Sequence, residues 1–423
     1  MKEQLRALFA AALADLDPRP RVRAAVRSHR ATFAAARRVR VVAIGKAARP
    51  MAAAAVEELR GLPVDGLLVP PDPDDVPLPP LEVVCGGHPW PTAGSVRAAA
   101  RALELCRAAD GDTFVLFLLS GGGSAMCEQP FDAEVALPEW QSFYRALVGC
   151  GAGIVAVNTV RRHLSAVKGG RLALAAAAAH GCLTLCVSDV PGDLAALASG
   201  PTLPDGTTLA DCRAIVAQHG LLATLPRNLA ARLERGDLPP QPRRDDPRLR
   251  HHTAERLLDN DTAIAALARH AAAAGLRVVE ERRADELPVA DAAALLLARL
   301  RQDSGIGTQP VAVLAGGEVR VALPEQHGRG GRNQQFALEC ALRMQGEAAF
   351  VLSCGTDGVD GDSSAAGAVA DGTTVARAQA LGLRADEHLR RCDAQPLFEA
   401  IGDAVVTGAT GTNVRDLRLL VAR

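Results

Sequence analysis

Alanine-rich stretches of helical period alternate along this chain with short runs of β-branched and other apolar residues. That is the pattern of βα units laid on a largely parallel sheet. The apolar runs predict strands at 39–44, 81–85, 113–119, 182–187, 276–280, 311–314 and 349–353. The helical period predicts helices at 46–60, 95–108, 159–179 and 261–274. After Gly236 the run Asp-Leu-Pro-Pro-Gln-Pro-Arg-Arg-Asp-Asp-Pro cannot hold regular structure, and it reads as a domain boundary or a long surface loop. The expectation is an α/β protein of two domains with largely parallel sheets, at 1–235 and 251–423. No internal repeat is visible.

The predicted strands stop repeatedly at polar, glycine-rich turns. These are Ile44-Gly45-Lys46, Cys85-Gly86-Gly87-His88, Leu119 followed by Ser120-Gly121-Gly122-Gly123-Ser124, and Ser188-Asp189 running on to Asp193. The second half adds Gly316-Gly317-Glu318 and the run from Gly355 through Asp357 and Asp360 to Asp362. Open α/β sheets bind ligands at the carboxyl ends of their strands, so the pattern points to a site. Residues 120–124 read as a backbone nest for an anion at a helix start. No Walker A loop, dinucleotide fingerprint or Gly-x-Ser-x-Gly elbow occurs anywhere. Asp189 and Asp357, directly after buried runs, suit Mg²⁺ held together with phosphate oxygens. Asp360 and Asp362 read more simply as turn residues.

Three lysines, Lys2, Lys46 and Lys168, stand against 44 arginines. Where arginine is the default cation, a lysine beside glycines suggests a compact point charge reaching a phosphate. Lys46 and Lys168 both have that setting. Arg161, Ser165 and Lys168 would share one helical face. Arg332 and Asn333 fall in the first turn of a helix, the wrong end for a cation beside the macrodipole. Adjacent His251 and His252 lack partners that would make a metal site.

At 423 residues the chain can bury two cores. A net charge of −1 and 3% aromatic residues give no footprint for nucleic acid or an anionic membrane. The start of the chain reads as an amphipathic helix and not a signal peptide, and no stretch suits a bilayer. Ten cysteines without a Cys-x-x-Cys pair fit a reducing, cytoplasmic setting.

Taken together, the motifs resemble the class II glycerate kinases, which carry a C-terminal MOFRL domain and are often labelled hydroxypyruvate reductase. The resemblance is carried by Ile44 to Ala47, Gly86 to Pro89, Leu119 to Ala125, Asn158 to Ser165, Lys168 to Ala173, Ser188 to Asp193 and Ala198 to Thr202. It continues through Gly316 to Glu318, Gly330 to Asn333, Gly355 to Gly358, Ala365 to Gly367 and Thr407 to Leu417, in the family's order. Pro91-Thr92, Leu194, Gln335 and Ala409 depart from the family pattern.

The resemblance implies a Rossmann-like N-terminal domain, a C-terminal domain containing the MOFRL region, and an active site in the cleft between them. It implies phosphorylation of D-glycerate to 2-phosphoglycerate by ATP with Mg²⁺. It places catalytic roles on Lys46, Arg332 and Asp357, with Asp189 as a further candidate and both aspartates as metal candidates. Binding roles fall on Ser120, Gly121, Gly122, Gly123, Ser124, Lys168, Glu318, Asn333 and Asn413. Which aspartate is base and which binds metal stays open, as does a homodimeric assembly. The alternatives are NAD(P)H-dependent hydroxypyruvate reduction, which lacks its fingerprint, and a regulatory binding protein.

Overall fold

The computed structural model describes residues 1–422 apart from 72, 74, 75, 133, 305 and 307, so Arg423, the expected end of the second domain, lies outside the described residues. The chain divides into two compact units, Pro18–Leu257 and a second made of Met1–Asp17 with Leu258–Arg423. The first unit holds the strands β1 (Arg38–Ile44), β2 (Val64–Val69), β3 (Glu82–Val83), β4 (Thr113–Ser120), β5 (Gly181–Val187) and β6 (His252–Leu258), in the order β3-β2-β1-β4-β5-β6. Its described pairings, β3 with β2, β2 with β1, β1 with β4 and β4 with β5, are all parallel. β4 and β5 are buried at every position, which is why they read as unbroken apolar runs.

The strand order 3-2-1-4-5-6 is the doubly wound arrangement, in which the direction of winding reverses between β1 and β4. The register sets Ile44 against Leu119 and Ser120 against Val187. The turns after β1, β4 and β5 therefore open at one edge of the sheet.

The second unit holds β7 (Arg277–Glu280), β8 (Val311–Gly317), β9 (Ala349–Gly355), β10 (Gly367–Asp371), β11 (Ala404–Val405) and β12 (Asp416–Ala422). Their order is β11-β10-β9-β12-β8-β7. The α/β class holds here as well, but the expectation of a largely parallel sheet needs correction. Only β7 and β8 pair in parallel among the described pairings. β12 lies between β8 and β9 and runs against both, while β10 runs against β9 and β11. Parallel neighbours need a crossover of a dozen or more residues, and the short links before β10 and β12 contain no helix to make one. β8 and β9 consequently end where β12 begins, with Asp416 in register with both Gly317 and Gly355.

Three further expectations shift. The helix Lys2–Asp15 buries Leu5, Leu8, Phe9 and Ala12 and packs on the helix Asn260–Ala273, so it belongs to the second unit. Lys2 secures it with ion pairs to Asp371 at 3.1 Å and Asp403 at 2.9 Å. The proline-rich run after Gly236 is a loop of the first unit, where the Pro239 carbonyl accepts from Arg171 Nη2 at 2.9 Å. The helix expected at 159–179 is two, Ile154–Leu164 and Arg171–Ala175. Ser165 turns extended after the first, and the left-handed Gly169 (φ 60°) and Gly170 (φ 81°) lead into the second.

Candidate active site

In the first unit the site grows from the crevice between β1 and β4. Gly45 leaves β1 at φ 120°, a conformation reserved for glycine, and turns Lys46 so that its amide donates to the Gly121 carbonyl at 2.9 Å. The Ala47 amide donates to Ser120 Oγ at 2.9 Å, and Ser120 is fully buried at the end of β4. Ser120 thus ties the two turns together from beneath. Gly122 at φ 83° precedes the short helix Gly123–Met126, whose first amides have no partner along the helix itself. A Cβ at Gly122 would stand 2.7 Å from Met126 Cε, 3.2 Å from His88 Cδ2 and 3.3 Å from Lys46 Cγ. The half-buried Lys46 therefore runs its stem along the glycine turn. The structure brings Lys46 and residues 120–124 into one cluster.

Behind this turn lies a hydrogen-bonded chain. Ser124 Oγ meets Ser199 Oγ at 2.8 Å, and Ser199 donates to Asn158 Oδ1 at 2.9 Å. Ala198 (φ 50°) and Ser199 (φ 59°) hold left-handed backbone without being glycine, a strain of about 1–3 kcal/mol each that clusters at functional sites. The Ala198 methyl packs where a Gly123 Cβ would stand, 2.9 Å away. The sequence carries these residues within the family motif Ala198 to Thr202 but gives no sign of the strain.

Lys168 corrects its expected ligand role. It is buried, and its ammonium reaches the Ser124 carbonyl at 2.8 Å, the Cys127 carbonyl at 3.3 Å and Glu128 Oε2 at 3.1 Å. Three protons meet three acceptors, so nothing remains for a phosphate. Lys168 holds the glycine turn from behind. It shares no helical face with Arg161 and Ser165, since the helix stops at Leu164. Asp189 stands half-buried just past β5, in a loop shaped by Ser188 Oγ donating to the Val190 carbonyl at 3.0 Å. Asp193 is mostly exposed, caps Ala195 and pairs with Arg244.

In the second unit the site forms where β8 and β9 end and β12 begins. Arg332, first residue of the helix Arg332–Arg343, donates from Nε to Asp416 Oδ2 at 2.6 Å and from Nη2 to Asp416 Oδ1 at 2.9 Å. Glu318 Oε1 lies 2.9 Å from the same Nη2. Burial works against the Arg332 charge, yet the Asp416 carboxylate outweighs it and raises the guanidinium pKa. Burial likewise pushes Asp416 up, and Arg332 and Arg418 override it to hold the carboxyl below its usual range. These anions explain how a cation sits at the unfavourable end of a helix.

Asp357 follows β9, half-buried, with Oδ1 accepting from the Val359 amide at 3.2 Å. A Cβ on Gly355 would lie 3.2 Å from Asp357 Oδ1 and 3.5 Å from Asp416 Oδ1, so glycine here leaves room for both carboxylates. Glu318, Arg332 and Asp357 therefore share one strand-end edge with Asp416. Asn413 is half-buried in the following loop, its Oδ1 accepting from the Arg415 amide at 3.3 Å. Asn333 departs from expectation. It is buried, accepts from Ser353 Oγ at 2.7 Å and donates to Asp360 Oδ1 from its amide nitrogen Nδ2 at 3.2 Å, so it fixes the helix start. Asp360 accepts the backbone amides of Asn333 and Gln334, and Asp362 that of Gly330, which makes both turn and cap residues. Among the described residues no three His, Cys, Asp or Glu side chains gather as a metal cage, but Mg²⁺ bound with phosphates needs only one or two carboxylates.

The same two parts appear in known proteins. Residues 4–234 match the family described as Domain of unknown function (DUF4147), and residues 311–416 match the MOFRL family. The D-glycerate 2-kinase of Thermotoga maritima is 33% identical over 90% of this chain and 89% of its own. The chain belongs to the glycerate 2-kinase family. A crystal structure of glycerate kinase from Thermotoga maritima superposes with a TM-score of 0.85 at 31% identity, covering 100% of this chain and 99% of that one. A protein of Agrobacterium vitis that carries the provisional name hydroxypyruvate reductase is 36% identical over 99% of this chain and 94% of its own. Lys46 and the 120–124 turn lie in the DUF4147 part, while Glu318, Arg332, Asp357 and Asp416 lie in the MOFRL part.

Proposed function

We propose that this protein transfers the γ-phosphoryl group of ATP to the C2 hydroxyl of D-glycerate, giving 2-phosphoglycerate and ADP. The observation that carries the reading is a lysine laid along a glycine turn at the winding reversal of a doubly wound sheet, the place where such sheets take phosphorylated ligands. Phosphoryl transfer asks a protein mainly for positioning and charge neutralisation. Lys46 with the 120–124 turn would take nucleotide phosphates. Arg332 would take the glycerate carboxylate, and Asp357, on the same edge, the proton of the attacking hydroxyl. The half-buried Asp189, at the strand end next to the glycine turn, fits Mg²⁺, whose chemistry is to neutralise phosphate charge.

Reduction of hydroxypyruvate would need a dinucleotide fingerprint after a strand, and β1 and β4 end in Gly45-Lys46 and Ser120-Gly121-Gly122 instead. The ten cysteines are all free thiols, which supports a reducing, cytoplasmic setting. No helix among the described residues is long and apolar enough to cross a membrane. The test is an incubation of the purified protein with D-glycerate and MgATP, read by ³¹P NMR. The expected products are ADP and 2-phosphoglycerate. Oxidation of NAD(P)H with hydroxypyruvate and no ADP from glycerate would replace this reading with the reductase.

A further inference from the structure

Asp416 and Arg418 are fully buried, an unusual state for two charged residues on a strand of otherwise apolar character. They face the same side of β12 because strand side chains alternate with a period of two. Arg418 Nη2 donates to Asp416 Oδ2 at 3.0 Å, while its Nη1 donates to the carbonyls of Gly316 and Gly317 at 3.2 Å each. The Phe336 ring lies 5.2 Å from its guanidinium carbon. This pair alone would neutralise the buried charge. Yet Asp416 also clasps Arg332 side-on, through Nε and Nη2, and Arg332 keeps 36% of its side chain exposed. Glu318, Arg332, Asp416 and Arg418 then sum to zero charge, with the Arg332 guanidinium still partly open to solvent.

We infer that Asp416 is a positioning residue for Arg332, and that Arg418 is the buried counter-charge that keeps Asp416 ionised for that purpose. A free arginine side chain samples many rotamers, and fixing one of them costs entropy. A two-point clasp removes that cost before any ligand arrives and fixes which edge of the fork faces outward. Asp416 itself touches no substrate in this account. In its kinetic part the inference rests on the kinase reading above.

The test is a double-mutant cycle on glycerate phosphorylation. Asp416→Asn should lower kcat/KM for glycerate by about 10²-fold, the cost of misplacing a reactive group by an ångström. In an Arg332→Ala background the same change should cost no more than about twofold, because its effect runs through Arg332. Equal losses in both backgrounds, or an Asp416→Asn enzyme near wild type, would overturn the inference. Should Asp416→Asn fold poorly with Arg418 left unpaired, Asp416→Asn combined with Arg418→Met removes both buried charges. That variant should recover thermal stability without recovering activity, and recovered activity would count against positioning. A second readout needs no turnover: the Arg332 Nε–H resonance, identified by its loss in Arg332→Ala, should exchange slowly in the wild type and fast once Asp416 is changed. A slow Arg332 resonance in Asp416→Asn/Arg418→Met would sink the clasp. Absence of glycerate phosphorylation in the wild type would strike the kinase reading and leave this spectroscopic arm to decide the clasp.

Discussion

The two strand-end clusters are built from different materials. In the first unit the cluster is mostly backbone, with glycines at φ 120° and 83° bending two turns together and one lysine laid across them. In the second unit it is mostly charge, an arginine clasped by carboxylates, and Gly355 serves by leaving space for side-chain oxygens. The first arrangement sets a lysine beside the helix-start amides that follow Gly122, a setting suited to spread-out phosphate charge. The second fixes one planar fork suited to a carboxylate or a single phosphoryl group. Within the first unit the contrast repeats between two lysines. Lys46 and Lys168 both stand beside glycines in sequence, yet one lies along the turn and the other is sealed beneath it with Glu128.

Separating those two lysines gives the largest expected effect. Lys168→Met should destabilise the protein by about 3–5 kcal/mol, since it leaves the Glu128 carboxylate buried without its cation. Chemical denaturation measures this. Adding Glu128→Gln should recover most of the loss, because a neutral amide can still accept from Tyr144, which now donates to Glu128 at 2.8 Å. A Lys168→Met protein as stable as wild type would return Lys168 to the ligand side. Lys46→Arg should do the opposite. The turn is kept, so melting should hardly move, while the bulkier planar fork beside Gly122 displaces the charge and lowers kcat by about 10²-fold. A Lys46→Arg enzyme near wild-type rate would mean that any cation serves there.

What the sequence revealed follows from how local each signal is. In the first unit β1, β4 and β5 were legible because burial at nearly every position leaves an unbroken apolar run, whereas β2, interrupted by Asp65-Gly66, and the half-exposed β6 were missed. Lys46 stood out because lysine is scarce, and Arg332 because it starts a helix against the dipole. Asp416 was not legible: the clasp joins residues 84 positions apart, and β12 mixes buried Asp and Arg into an apolar run. β10 and β12 were missed for the related reason that their neighbours in the sheet are set by tertiary pairing. The period between 159 and 179 read as one helix because alanine and leucine dominate it, while the break is made by extended backbone at Ser165 and by the left-handed Gly169 and Gly170 that follow Lys168.

The smallest expected effect sets the two units against each other by pH. His163, buried in the first unit, has its pKa pushed down to about 4 by burial and then by the nearby Arg171, against the pull of Asp205 and Asp211. Its unfolded value is near 6.5, so the unfolded chain binds the proton more readily, and stability is lost as pH falls from 6.5 toward 4. Asp360, buried in the second unit, runs the other way. Burial raises it to about 7, only partly offset by the Asn333 and Gln334 amides, so acidification from 7 toward 4 adds stability. Between pH 7 and 5 each shift is on the order of 1–2 kcal/mol. Hydrogen exchange corrected for intrinsic rate should show Ile154–Leu164 losing protection and Arg332–Arg343 gaining it. His163→Gln should flatten the first trend and Asp360→Asn the second. Parallel trends in both helices, unchanged by these substitutions, would show that neither buried group controls its unit's response to acid.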